Sequence, residues 1–332
     1  VDIDTQSAGQ DGDITFSSTI KGAGGTDDLI LDSGTGAIVF NANTVIGGDN
    51  TPLDTLTINS SSSNVALTIP QIGTGTDAGV TGQVDIGNTT ATPSISMRDA
   101  LYNFGTGNVT LNTVATGTTT FAKTDNVGVN LGGGDFKIDG KMAITGATDK
   151  TLDINSGGGS IEITKDITGT DGDENLTLDV ATGTSGIITL GGNVGADSGV
   201  ASNIKSVTLV GTGGVKLTGD ITTSSTAGAI DITGPVTLEG DVIIDADAAA
   251  TTVTFNSTAT VNSDSTARAF EITTDTGKIS VDSVLGGSAA LKSLEINDGG
   301  GNSEIDIAGI GATNAGVAAN GATKIGNALT TK

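Results

Sequence analysis

An apolar-x-apolar triplet returns along the whole chain: Ile14-Thr-Phe16, Ile38-Val-Phe40, Val65-Ala-Leu67, Val109-Thr-Leu111, Phe136-Lys-Ile138, Ile161-Glu-Ile163, Ile188-Thr-Leu190, Val215-Lys-Leu217, Val253-Thr-Phe255, Ile279-Ser-Val281 and Ile305-Asp-Ile307. Alternation with period two marks a strand with one buried face. The copies lie roughly 22 to 30 residues apart, within the window that marks solenoids and arrays. That spacing is long for a run of hairpins and too short for a strand, a helix and a second strand. A parallel β-solenoid satisfies it, because each strand then pairs with its equivalents in the coils on either side.

A second triplet precedes many of the first, as in Leu29-Ile-Leu31, Leu56-Thr-Ile58, Leu152-Asp-Ile154, Leu176-Thr-Leu178 and Leu294-Glu-Ile296. Gly-rich turns join the two, among them Ser33-Gly-Thr-Gly36, Ser156-Gly-Gly-Gly159 and Thr274-Asp-Thr-Gly277. The stretch Gly34-Thr-Gly-Ala-Ile-Val-Phe40 looks like a phosphate loop. It lacks the Lys-Ser/Thr that a P-loop requires, and no helical pattern follows it. The glycines therefore read as corners, where the backbone needs a positive φ.

Composition limits what such coils enclose. Of 332 residues, 35% are apolar, 2% are aromatic and none is Trp, while 52 are Gly. The buried layer must be thin and built from Ile, Val, Leu, Thr and Ala. Inward positions are expected to form ladders of like residues, with Ile14, Ile38, Val65, Val109 and Ile161 in one stack. The expected fold is thus all-β, a single elongated parallel β-helix of about 11–13 coils. Residues 1–307 would form the solenoid, 79–108 an irregular insertion or a loop packed against it, and 308–332 an Ala/Gly/Asn-rich segment ordered by a neighbouring subunit. A β-sandwich or tandem immunoglobulin-like domains would instead show an aromatic core and a repeat near 100 residues.

Phrases such as Gly186-Ile-Ile-Thr-Leu-Gly-Gly-Asn-Val194, Ser206-Val-Thr-Leu-Val-Gly-Thr-Gly-Gly-Val-Lys-Leu-Thr-Gly-Asp-Ile221 and Ile230-Asp-Ile-Thr-Gly-Pro-Val-Thr-Leu238 resemble the repeat regions of filamentous-haemagglutinin-like bacterial surface and secreted proteins. The resemblance covers most of the chain. It implies a right-handed parallel β-helix and an extracellular structural or adhesive role, with no catalytic residues to transfer.

The chemistry available is narrow. No Cys and no His are present, which removes disulfides, thiolate nucleophiles, His bases and the usual zinc ligands. A formal charge of -24, with its few cations scattered singly, makes nucleic acid and anionic membranes poor partners. No apolar run is long enough for a membrane-spanning helix. Val1-Asp-Ile-Asp4 has neither the basic nor the apolar region of a signal peptide, so the expectation is a removed signal or a segment of a longer chain.

Carboxylates are the remaining functional groups. Asp171, Asp173 and Glu174 crowd one turn, which is how oxygen sites for Ca²⁺ are assembled; the same residues also read as solvated turn carboxylates. No other cofactor is expected. Two further readings are open. Arg98, Asp99 and Tyr102 could line a polysaccharide-cleaving cleft, and Thr118-Thr-Thr120 with Thr251-Thr-Val-Thr254 could belong to an ice-binding face. The leading expectation is not an enzyme but a filament or biofilm-matrix subunit. It would be a homopolymer stacked head to tail by β-strand addition, with Val1 and Ile3 meeting Ile305 and Ile307. The alternative is the stalk of a large adhesin, and surface glycans or other cells are further candidate partners.

Overall fold

The computed structural model describes residues 1–7, 10–23, 26–58, 65–146, 148–181, 183, 185–195, 203–224, 226–246, 251–274, 277–297, 304–311, 316–318 and 321–326. Among these residues every regular element is a strand, and almost all pairings are parallel. The chain is a β-solenoid of about 11 turns. It divides into two compact units, Val1–Lys165 and Asp166–Lys332.

Each coil carries three strand positions, one more than the paired triplets of the sequence suggest. In Val1–Lys165 the first position stacks Leu29, Leu56, Val84, Val109, Phe136 and Ile161 in register. The second stacks Ile69, Met97, Phe121 and Ile144. The third stacks Ile20, Ile46, Ile72, Tyr102, Val129 and Ile154. In Asp166–Lys332 the first position runs Ile188, Val215, Val236, Val261, Leu285 and Ile310. The second includes Ile221, Ile244, Ile272, Ile296 and Ile325, and the third Leu209, Ile232, Phe255, Val281 and Ile307. Interior members of these stacks are buried. Full burial of one aliphatic side chain contributes about 1.5–3 kcal/mol, so the ladders supply the main stabilisation of a chain with few aromatics.

Three expectations are corrected. The stack proposed from Ile14 to Ile161 merges two positions: Ile14 pairs with Ile38 in the second, whereas Val109 and Ile161 belong to the first, joined through Phe136. Val65 precedes its strand, and Leu67 takes the inward place. Residues 79–108 are no insertion. They carry the strands Val84–Gly87, Ser94–Met97 and Leu101–Asn103, each in register with the coils on both sides. Pro93 sits just before a strand, where its missing N–H is tolerated, and Tyr102 fills an inward place usually held by an aliphatic. Within 308–332, the strand Ile305–Ile310 pairs with Ile279–Leu285, Val317 bridges Leu291, and Thr323–Ile325 pairs with Ser293–Asn297. These parts are ordered by their own chain; residues 312–315, 319–320 and 327–332 lie outside the described residues.

The corners explain the glycines. Asp32 Oδ1 accepts the Gly34 N–H at 3.0 Å, Ser33 Oγ donates to Gly36 O at 2.6 Å, and Gly34 has φ 59°. Asn155, Ser156, Gly157 and Gly159 repeat this turn. A Cβ on Gly36 would lie 2.4 Å from Gly12 O of the preceding coil, and one on Gly159 2.2 Å from Gly134 O. Backbone of the adjacent coil occupies that space, so Gly36→Ala and Gly159→Ala are each expected to cost about 1–3 kcal/mol. Equilibrium urea unfolding checks this, and parental midpoints would refute it.

Acidic and amide side chains next to the strands tie one coil to the next. Asp13 Oδ1 accepts from Ala37 N at 2.8 Å, Asn108 Oδ1 from Asp135 N at 3.0 Å and Asp135 Oδ1 from Ser160 N at 2.7 Å. Asp166, Asn193 and Asp220 accept in the same way from Asn193, Asp220 and Ile243. Much of the negative charge therefore has a structural use, satisfying backbone donors where the chain changes direction.

Candidate functional site

The acidic turn lies between the strands Ile167–Thr168 and Asn175–Asp179. Asp171 is exposed, Asp173 half-buried and Glu174 fully buried, and one carboxylate oxygen of each lies within 4.8 Å of the others. Two oxygens sharing one Ca²⁺ at about 2.4 Å are separated by at most about 4.8 Å, so the spacing admits a common ion. The structure thus brings together the three residues singled out in the sequence.

Glu174 has a further occupation that the sequence does not reveal. Its Oε1 accepts from Thr170 N at 2.7 Å and Asp171 N at 3.2 Å, and its Oε2 from Gly172 N at 3.1 Å. Buried, with three converging donors, the carboxylate is the anchor around which the turn is wound. Gly169 leaves room for it, since a Cβ there would lie 2.5 Å from Glu174 Oε2. Asp173 Oδ1 is buried with no hydrogen-bond partner. The trio offers a cation three carboxylates, one already engaged by backbone, against the six to eight oxygens Ca²⁺ takes.

The residues of the imagined cleft hold coils together. Tyr102 is fully buried in the third ladder; its hydroxyl accepts from Asp99 N at 2.8 Å and donates to Ile69 O at 3.4 Å. Burial pushes its phenol far above the usual value. Asp99 Oδ2 accepts from Gln71 N at 2.9 Å and lies 3.7 Å from Arg98, whose Nη2 donates to Asn41 O at 2.8 Å. A ring enclosed on both faces offers no platform for a sugar.

The Thr-rich faces are also interrupted. The outward row Thr177, Thr208, Asp231, Thr254 and Ser280 has a carboxylate at its middle.

A groove of about 460 Å³ runs over the second strand position in Asp166–Lys332, flanked by Asp220, Asp241, Ile243, Glu271, Glu295 and Lys324. Glu271 stands directly opposite Glu295 in the parallel register. Burial, and then the neighbouring Glu295 charge, push the Glu271 carboxyl above its ordinary range. Lys324 pairs with Glu295, and Lys292 lies 3.4 Å from Asp241. Sequence reasoning missed this cluster because its members come from different coils and meet only when the coils stack.

Of the four residues expected at an assembly interface, Val1 and Ile3 belong to Val1–Lys165 and Ile305 and Ile307 to Asp166–Lys332. Asp2–Asp4 has Leu29–Asp32 as its only strand partner among the described residues. Val1 is 78% exposed and Ile3 half-buried, beside a hollow of about 350 Å³ that Phe16, Ile20, Leu29 and Leu53 also line. In the other unit Ile305 and Ile307 are half-buried. Farther along the same coil, Ile310 and Ile325 are 39% and 47% exposed, although the ladder residues they follow, Leu285 and Ile296, are fully buried. Among the described residues these ladders run to Val1 and Phe16 on one coil and to Ile310 and Ile325 on the other. No family model, curated protein or solved structure matches the chain.

Proposed function

We propose that the chain is an extracellular structural protein without enzymatic activity, a subunit whose terminal coils stack on those of further copies to build a filament or matrix fibre. The observation that carries this reading is the pair of open coils. Among the described residues Asp2–Asp4 and Thr323–Ile325 each have one strand partner, and the ladder residues Val1, Ile310 and Ile325 are exposed while Phe16 is half-buried. Strand edges and apolar ends of this kind are templates for β-addition. The resemblance to filamentous-haemagglutinin-like proteins supports the extracellular assignment. The lack of His and Cys and the enclosure of Tyr102 support the absence of catalysis. Negative charge on the coil flanks would hold neighbouring fibres apart until cations screen it.

The experiment is light scattering and electron cryo-microscopy of the full chain at neutral pH, beside the double variant Ile310→Asp/Ile325→Asp. An unpaired charge in a desolvated stack costs several kcal/mol, so at least a hundredfold weakening of self-association is expected, with circular dichroism unchanged. Parental assembly by the variant refutes end-to-end stacking. A parent that stays monomeric at millimolar concentration favours the second reading, a stalk whose coils continue within a larger adhesin that presents its binding tip elsewhere.

A further inference from the structure

The groove of Asp166–Lys332 combines a largely aliphatic floor with a carboxylate rim. Its floor is the outward row Ala269, Ser293 and Ala322, whose small side chains leave a trough across adjacent coils. Ile243, 40% exposed, adds its side chain beside that row. Among the described residues that line it, the carboxylates of Asp220, Asp241, Glu271 and Glu295 face a single cation, Lys324. We infer that this groove is a docking site for an extended basic segment of a partner protein, whose lysine or arginine stems lie along the floor and whose cationic heads meet the carboxylates. The inference is independent of end-to-end stacking and applies equally to a fibre subunit and to a stalk.

The four carboxylates are not equivalent. Lys324 pairs with Glu295 and Lys292 with Asp241, while Asp220 Oδ1 accepts from Ile243 N at 2.7 Å. Glu271 forms no ion pair among the described residues, and it stands directly opposite Glu295 in the parallel register. Asp220 and Asp245, from the coils before it, add to the negative charge at Glu271, and Lys324 offsets part of it. Like charges directly opposite on neighbouring strands repel. A ligand cation placed at Glu271 removes that repulsion and supplies the counter-charge that the chain does not.

Dimensions and surface chemistry select a peptide. The row from Ile243 through Glu271 and Glu295 to Lys324 crosses four strands. Three steps between strands give about 14 Å, the reach of about four extended residues. Lysine and arginine cover apolar surface with their stems while their charge stays in water, which suits an aliphatic trough edged by acids. A cationic sugar polymer would match the charge but not the floor. Sugar rings pack on aromatic faces, and Phe270, the aromatic residue of this groove, is 1% exposed.

The probe is a fluorescently labelled pentapeptide alternating lysine and leucine, blocked at both ends. It is titrated into the full chain at about 0.15 M salt, where attraction between exposed charges is screened beyond about 8 Å. Saturable binding is expected, weakened at least fivefold by Glu271→Gln and by Ile243→Ser. Glu162→Gln, which removes a carboxylate paired with Lys137 on a strand face of Val1–Lys165, should leave the affinity within twofold. Circular dichroism reports folding of each variant, and the near-isosteric Glu271→Gln decides alone if Ile243→Ser does not fold. No saturable binding at millimolar peptide, parental affinity in the groove variants, or an equal loss in Glu162→Gln overturns the site. Tighter binding of a glucosamine oligosaccharide of equal charge, lost in the same groove variants, overturns the peptide assignment and gives the groove to a cationic glycan.

Discussion

Lys150→Ala is expected to destabilise the chain by about 3–5 kcal/mol, the largest effect of any single substitution considered. Lys150 is 2% exposed, and with Glu174 it is one of two charged side chains buried among the described residues. Its Nζ donates to Phe121 O at 2.7 Å and to Thr145 O, so the ammonium holds together the ends of strands from neighbouring coils. The adjacent corner is shaped around it, because a Cβ on Gly146 would lie 2.9 Å from Lys150 Cδ. Alanine removes the donor and opens a cavity as long as the lysine stem, while Phe121 O keeps the Thr145 N–H at 3.0 Å. Lys150→Met keeps most of the volume and loses only the donor, so it should retain about half of the lost stability. Urea denaturation of the three proteins separates the terms; a loss below about 1 kcal/mol for alanine would show that water replaces the ammonium without cost.

Glu174→Ala follows at about 3 kcal/mol, with Glu174→Gln at about 1–2 kcal/mol. The carboxylate satisfies three backbone donors from Thr170, Asp171 and Gly172 within a fully buried side chain. Glutamine keeps one accepting oxygen but turns an NH₂ toward at least one N–H, whereas alanine leaves all three donors without their acceptor. Because the anchor is built from protein donors, the losses should be the same in millimolar calcium and in chelator. A thermal melt in which the parent rises with calcium and Glu174→Ala does not would assign the turn to a cation instead.

The parts of this structure legible in the sequence are those with strict period two. Val109-Thr-Leu111, Phe136-Lys-Ile138 and Ile161-Glu-Ile163 announce a buried face directly, and in the structure they do stack on one another. The second strand position of these coils was not legible, because its members vary in character. Lys141–Ile144, Ser94–Met97 and Thr118–Phe121 share one ladder, yet only the pairing itself shows that Met97, Phe121 and Ile144 are equivalent. In the sequence Tyr102 reads as a cleft residue beside Arg98 and Asp99, although it sits in line with Ile72 and Val129. At the acidic turn, local density revealed the grouping of Asp171, Asp173 and Glu174. It could not reveal which of the three faces inward, since burial there depends on Gly169 and on backbone N–H groups that any residue carries. Glu271 and Glu295 needed the stacked coils before they became neighbours at all.

The side chains that reach from one coil to the next, Asp13 to Ala37, Asn108 to Asp135 and Asp220 to Ile243, bear on how such a protein changes over generations. Each of these bonds spans a single step of the stack, and none depends on a distant partner. A duplicated coil that carries its own Asp or Asn and its own glycine corner arrives with every local requirement met, as expected for nearest-neighbour architectures. Length can then vary by whole turns through recombination within the gene, while a gain or loss of a few residues inside a turn must be absorbed by a loop or displaces the caps that follow.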